Sequence, residues 1–204
     1  MPKRTYSMRR RVALEAETRE RIVRATVGLH SQHGALATTY AMIAKRAQVA
    51  PQTVYNHFPN DDALLGACTG HVHERAPRVD AEAIRSGSSP AARLKLLAHA
   101  VFARHEYMAP WLRWREAALI PALGAIAAEG HEGLRAVIAA AVMPDHEPTA
   151  DFVDAAFVLL DFPAWQVLTR SRSSPEAARV AGACLADLLP RLNPSKPQRR
   201  RKQS

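Results

Sequence analysis

The chain has only two cysteines among its 204 residues, Cys68 and Cys184, far apart in sequence. That excludes a fold stapled by disulfides and points to a reducing compartment with both thiols free. Aromatic residues make up 6% of the chain, and no succession of alternating β-branched runs supplies the material of a sheet. Long apolar runs are missing too. The richest stretch, residues 117–128, is interrupted by Pro121 and Gly124 and falls well short of the ~20 residues that cross a bilayer. The basic N-terminus leads into Val-Ala-Leu-Glu-Ala-Glu rather than an apolar segment, so no export signal is read there. These absences describe an all-α protein, soluble and cytoplasmic, with no membrane partner.

Charge and helical pattern are what the chain does have. Lysine and arginine number 28 against 19 acidic residues, a formal net charge of +9, which makes an anionic partner the first expectation. The excess sits at the ends: residues 1–24 carry eight basic and three acidic side chains, residues 191–204 six basic and none acidic, and the middle is slightly acidic. With 48% hydrophobic and 23% charged residues, the length suits one compact helical domain or two small ones sharing a core.

Glycine, proline and serine divide the chain into helix-length pieces. Helices are expected over residues 18–33, 40–47, 51–58 and 61–75, then over 91–107, 111–117, 119–128, 132–143, 149–171 and 175–189, with a kink at Pro163. Residues 76–90, containing Pro77 and Ser86-Gly87-Ser88-Ser89-Pro90, read as a connection between a small module and a larger bundle. The divisions that follow are a flexible basic arm over 1–17, a module over 18–65, a bundle over 66–192 and a disordered basic tail over 193–204 that holds Arg199, Arg200, Arg201 and Lys202.

Residues 39–58 are the most informative. Two short helices about a three-residue turn have the length of a helix-turn-helix. Ile43 and Ala47 lie one helical turn apart, Val49 plugs the turn, and Val54 with Phe58 are spaced i, i+4; together they can form a small core against Ile22, Leu29 and Leu36. Inward packing of that set leaves Gln52, Thr53, Tyr55, Asn56 and His57 on outer or flanking faces, with no acid among them. Pro51 fits the first helical position, which puts Gln52 and Thr53 at the end of a recognition helix that meets base edges. Gln addresses adenine bidentately, a Thr methyl touches thymine, and Tyr55 and His57 suit phosphate oxygens. Free N–H groups at the helix start add phosphate affinity. The candidate DNA-contacting set is Thr39, Lys45, Arg46, Pro51, Gln52, Thr53, Tyr55, Asn56 and His57, and Arg9, Arg10 and Arg11 form a candidate minor-groove arm.

This segment resembles the TetR family of bacterial transcriptional regulators in Thr39, the Ile43-Ala44 pair, Val49, the run Thr53-Val54-Tyr55-Asn56-His57-Phe58-Pro59 and Ala63-Leu64-Leu65. The resemblance implies a two-fold homodimer that binds a palindromic double-stranded operator through one helix-turn-helix per subunit. It also implies a C-terminal bundle that binds a small-molecule effector and alters DNA affinity, most often to release a repressor, with no cofactor and no enzymatic step. The chain departs from the family pattern at four places. His30 stands where an aromatic, usually Phe, fills the module core, Gln48 replaces a turn Gly, Ala50 replaces a capping Ser, and Asp61 replaces a Lys that commonly contacts phosphate.

In the family's layout the ligand cavity lies among the middle helices of the bundle. Phe102, Tyr107, Trp111, Trp114, Phe157 and Trp165 are therefore the candidate pocket residues, suited to an apolar or aromatic effector. Arg104, Arg113, Arg115 and Glu116 are candidate polar anchors. Phe152, Ala156, Leu159, Ala178, Ala181, Gly182, Leu185 and Leu189 allow close helix approach and serve equally as a dimer face or as internal core; the family layout favours the dimer face. The helix over 61–75 is the expected link between effector and DNA.

Other function classes find little support. Cys68 with His71, and His71 with Glu74, each present two ligands at i, i+3, short of a zinc site. Neither His-Glu-x-x-His, Cys-x-x-Cys nor Gly-x-Ser-x-Gly occurs. The alternatives are a helical interaction protein that uses its basic termini without reading sequence, and a metal-responsive regulator.

Overall fold

In the computed structural model, which describes residues 3–143 and 145–193 and side chains from Met8 onward, the first helix, α1, starts at Lys3 and runs to His33. The sequence pattern places its start near Thr18, where the apolar stripe begins. That stripe marks where a face becomes buried, and the helix itself continues outward through exposed residues 8–17, mostly strong helix formers. Thr18 is accordingly no cap, since its hydroxyl donates to Leu14 O at 2.8 Å. Gly34 ends α1 in the left-handed region, φ +82°, and its N–H donates to His30 O at 2.9 Å. A residue with a Cβ is disfavoured in that conformation.

The remaining helices are α2 (Tyr40–Ala47), α3 (Pro51–His57), α4 (Asp61–Arg75), α5 (Ala81–Arg85), α6 (Pro90–Leu112), α7 (Pro121–Val142), α8 (Ala150–Leu160), α9 (Phe162–Leu168) and α10 (Ser174–Leu192), with one 3-10 turn at Glu116–Ala118. No strand occurs among the described residues. Several expected elements differ. The connection over 76–90 contains α5, nucleated by Asp80, whose side chain accepts from the N–H groups of Glu82 and Ala83. A separate helix over 111–117 is absent, because α6 passes through Pro110 to Leu112 and Arg115 then adopts φ +55°. The pieces over 119–128 and 132–143 are one helix, α7, with Gly130 and Gly133 inside it. The segment over 149–171 is broken outright: Asp161 ends α8 and caps α9, accepting from Phe162 N–H at 2.8 Å.

The chain divides into two compact units, Met1–Ala76 with Met108–Ile126, and Pro77–Tyr107 with Ala127–Ser204. In the first, Ile22, Val23 and Leu29 of α1, Ile43, Ala44 and Ala47 of α2, Val54, Phe58, and Leu64 with Cys68 of α4 form the core. Burial there pushes the Cys68 thiol up to about 12. Leu36, expected in that core, is 61% exposed. The second unit has its own core, drawn from α5, α6, α7, α8 and α10. No helix among the described residues is long and apolar enough to cross a membrane. The basic cluster Arg199, Arg200, Arg201 and Lys202 lies outside the described residues.

Candidate nucleic-acid interface

Thr39 caps α2, its hydroxyl accepting from Met42 N–H at 3.3 Å. Gln48 ends α2 at φ +55°, in the left-handed region that favours glycine. The turn then closes as Val49 N–H donates to Ala44 O at 3.0 Å. Ala50 precedes α3 without any side-chain acceptor, and Pro51 begins the helix. A helix of one to two turns is not stable alone in water. Tertiary anchoring holds α3 instead: Val54 and Phe58 are 0% and 1% exposed, and the Arg19 guanidinium lies 4.8 Å over the Phe58 ring.

That anchoring decides what remains outside. Gln52, Tyr55 and Asn56 are exposed, while Thr53 and His57 are half-buried. Gln52 Nε2 donates to Asn56 Oδ1 at 3.0 Å, which sets the two amides on one face a turn apart. Tyr55 stacks on Tyr40 of α2, ring centroids 4.4 Å apart and planes 13° from parallel. Lys45 is exposed. Arg46 is committed to the module itself, donating to Gln32 Oε1 at 2.9 Å. Its guanidinium also fills the space over Gly28, where a Cβ would come within 2.8 Å of Nη2.

Arg9, Arg10 and Arg11 stand exposed on α1. A helix with its side chains is about 10–12 Å across and the minor groove only about 6 Å wide. Entry of these residues into a minor groove would require the helical backbone there to give way to an extended one.

The far end of α1 is braced by the last turn of α6 and the segment that follows it. Glu116 accepts from Ala35 N–H at 2.7 Å through Oε2 and from Leu36 N–H at 2.9 Å through Oε1. Arg113 donates to Ser31 O at 2.6 Å, and Trp111 Nε1 donates to Val27 O at 3.0 Å. A Cβ on Gly34 would meet Glu116 Oε1 at 2.6 Å, so the glycine is needed for close approach as well as for its φ. Burial lowers the pKa of His30 from the usual imidazole value, opposed by the Glu116 carboxylate.

The aromatic residues expected around an effector fall in both units. Trp111 and Trp114 belong to the first unit, Trp111 bonded to α1 and Trp114 38% exposed under Arg113. In the second unit Phe102 is fully buried, and Phe157 and Trp165 pack against the same core; Tyr107 is half-buried. The sequence pattern does not single out His105, which lies in this group with Phe162 at 5.5 Å and Trp165 at 6.4 Å. Its Nε2 is 2.8 Å from Leu160 O, and burial lowers its pKa. Of the expected anchors, Arg113 and Glu116 hold α1 within the first unit, and Arg104 donates to Pro77 O at 3.1 Å within the second.

Phe152, Ala156, Ala178, Ala181, Leu185 and Leu189 are covered within the chain and form the second unit's core. Gly182 is buried against Lys95, whose Cα a Cβ would meet at 3.0 Å. These side chains are packed within the chain itself; Leu159 is half-buried.

A short helix anchored behind a turn, with amide, hydroxyl and phenol groups outward and no carboxylate among them, defines a helix-turn-helix protein. Residues 22–68, the helix-turn-helix region, match the family described as bacterial regulatory proteins, tetR family. The chain is 34% identical over 83 residues to the HTH-type transcriptional repressor KstR of Mycolicibacterium smegmatis, a match spanning 41% of this chain and 41% of the length of that relative. Its fold resembles that of a transcriptional regulator from Rhodococcus sp. Rha1 (TM-score 0.65, 16% identity, covering 88% of this chain and 99% of the other). It also resembles the multidrug binding protein EbrR complexed with imidazole (TM-score 0.59, 28% identity, 83% and 89% covered).

Proposed function

We propose that the chain is a homodimeric repressor whose two helix-turn-helix modules bind a palindromic operator in successive major grooves, and that a small apolar or aromatic effector bound in the second unit releases it. The observation that carries the DNA reading is the outer face of α3. Gln52, Thr53, Tyr55 and Asn56 project from a helix fastened underneath by Val54 and Phe58, and the Gln52–Asn56 hydrogen bond presents an ordered amide pair. Gln52 and Thr53 read bases, while Tyr55, His57, Lys45 and Thr39 contact phosphate. Arg46 supports the module rather than the duplex.

The likeness to KstR, described as a repressor, supports the sign of the effect. EbrR has also been captured with ethidium, at 28% identity to this chain, which supports a planar aromatic effector. For the second copy, the outward sides of α8 and α10 are the available faces, where Val158 is 66% exposed and Ala183 and Ala186 are half-buried. Effector binding reaches the module along the covalent joins between Ala76 and Pro77, Tyr107 and Met108, and Ile126 and Ala127.

Selection of binding sites from a random duplex pool by the full-length chain tests the reading. An inverted repeat with half-site centres about 10 bp apart, or a multiple of one turn, is expected. A pool that enriches no sequence contradicts it.

A further inference from the structure

The Tyr40–Tyr55 stack does something the rest of the module does not account for. Tyr40 is the first residue of α2 and is neither an apolar core residue nor fully outward; it is half-buried. Tyr55 is 49% exposed, and an exposed tyrosine ordinarily samples several rotamers, whose loss on binding costs affinity. Here the ring of Tyr55 lies nearly parallel to that of Tyr40, 4.4 Å centroid to centroid, so one face is already occupied. Tyr40 is itself pinned. Its hydroxyl is 3.4 Å from Phe58 O and beside the carboxylate of Asp61, at the start of α4. Burial first, and then Asp61, hold the phenol up to about 12, so it stays a neutral donor at any working pH. Tyr40 thus connects Asp61 to the outer face of α3.

We infer that Tyr40 is a positioning residue for DNA binding: its ring fixes Tyr55 in the orientation that presents the Tyr55 hydroxyl to a phosphodiester oxygen, while Phe58 O and Asp61 fix Tyr40. The inference rests on the reading of α3 as the DNA-contacting helix. It also gives Asp61 a role. Asp61 sits beside the Tyr40 phenol, whose hydroxyl donates to Phe58 O, and the phosphate contact passes to Tyr55.

A double-mutant cycle tests this, using the full-length chain and the duplex it selects most strongly from a random pool. Tyr40→Leu removes the platform and is expected to weaken binding about 3- to 10-fold, the range of an aromatic pair, while Tyr40→Phe, which keeps the ring, restores most of the loss. In a Tyr55→Leu background the Tyr40→Leu change is expected to cost nothing further. Circular dichroism and thermal melting of each variant separate this from a folding defect: the coupling must appear in affinity between variants that are fully folded at the assay temperature. Equal losses from Tyr40→Leu in both backgrounds, or no loss in the Tyr55-containing chain, overturn the inference while leaving α3 as the DNA-contacting helix. If the wild-type chain selects no duplex at all, the DNA reading and the inference fall together.

Discussion

Gln48 and Ala50 flank the turn of the helix-turn-helix, and each lacks the local chemistry its position favours. Gln48 holds φ +55°, which costs a residue with a Cβ about 1 kcal/mol or more relative to glycine. Ala50 has no side chain to accept from the first N–H groups of α3, and a capping Ser is worth about 1 kcal/mol there. Gln48→Gly and Ala50→Ser are each expected to raise the melting temperature by about 2–4 °C, measured by calorimetry; a fall for either would contradict the turn geometry described. Both departures were legible in the sequence because they concern single positions in a known spacing, as were Val54 and Phe58 from their i, i+4 interval. The Tyr40–Tyr55 stack was not. It joins neighbouring helices through a turn whose angle depends on the left-handed Gln48, and no periodicity within either helix encodes that angle. Leu36 misled for the opposite reason, since its apolar side chain suggests core while its backbone N–H, bonded to Glu116, is what the fold uses.

Among the elements, the segment after α6 shows how sequence separation hides a support. Glu116 lies 81 and 80 positions from the two amides it accepts from, and as a charged residue of the expected helix over 111–117 it reads equally as an anchor for a ligand. Glu116→Ala leaves the Ala35 and Leu36 N–H groups without their carboxylate. Because Leu36 is exposed and Ala35 only half-buried, water replaces part of the loss and the cost is expected near 1 kcal/mol, at the low end of the range for an unmade bond. Amide exchange at Ala35 and Leu36, followed by NMR, should accelerate in the variant, and unchanged protection would show that the carboxylate does not hold the turn. The helix breaks show the same limit. Gly130, in the expected gap between 128 and 132, looks like a stop, yet glycine only weakens a helix by about 1 kcal/mol per position and α7 runs on through it and Gly133. Near Pro163 the pattern suggests a kinked continuous helix, but the Asp161 side chain caps a new one, so the chain restarts rather than bends.

For the whole molecule, the all-α class and the helix-turn-helix were readable because periodicity and turn spacing are local. The allocation of surfaces was not. Small and apolar residues on α8 and α10 satisfy an intrachain core and a dimer face alike, and only the fold shows that Phe152, Ala156, Ala181 and Leu185 are consumed inside. The candidate pocket aromatics, one list in sequence, are divided between the units, with Trp111 and Trp114 in the first. The net charge of +9 draws any duplex towards the protein and says nothing of which one. Sequence preference has to come from the face of α3. The most direct measurement compares the base-preference profile of the wild-type chain with those of Gln52→Ala and Thr53→Ala, at one salt concentration, on systematically varied copies of the selected duplex. The account predicts that each variant loses discrimination at a particular position in each half-site, by about 1–3 kcal/mol, with affinity for unrelated DNA little changed. A uniform loss across all positions, or an unaltered profile, would contradict it.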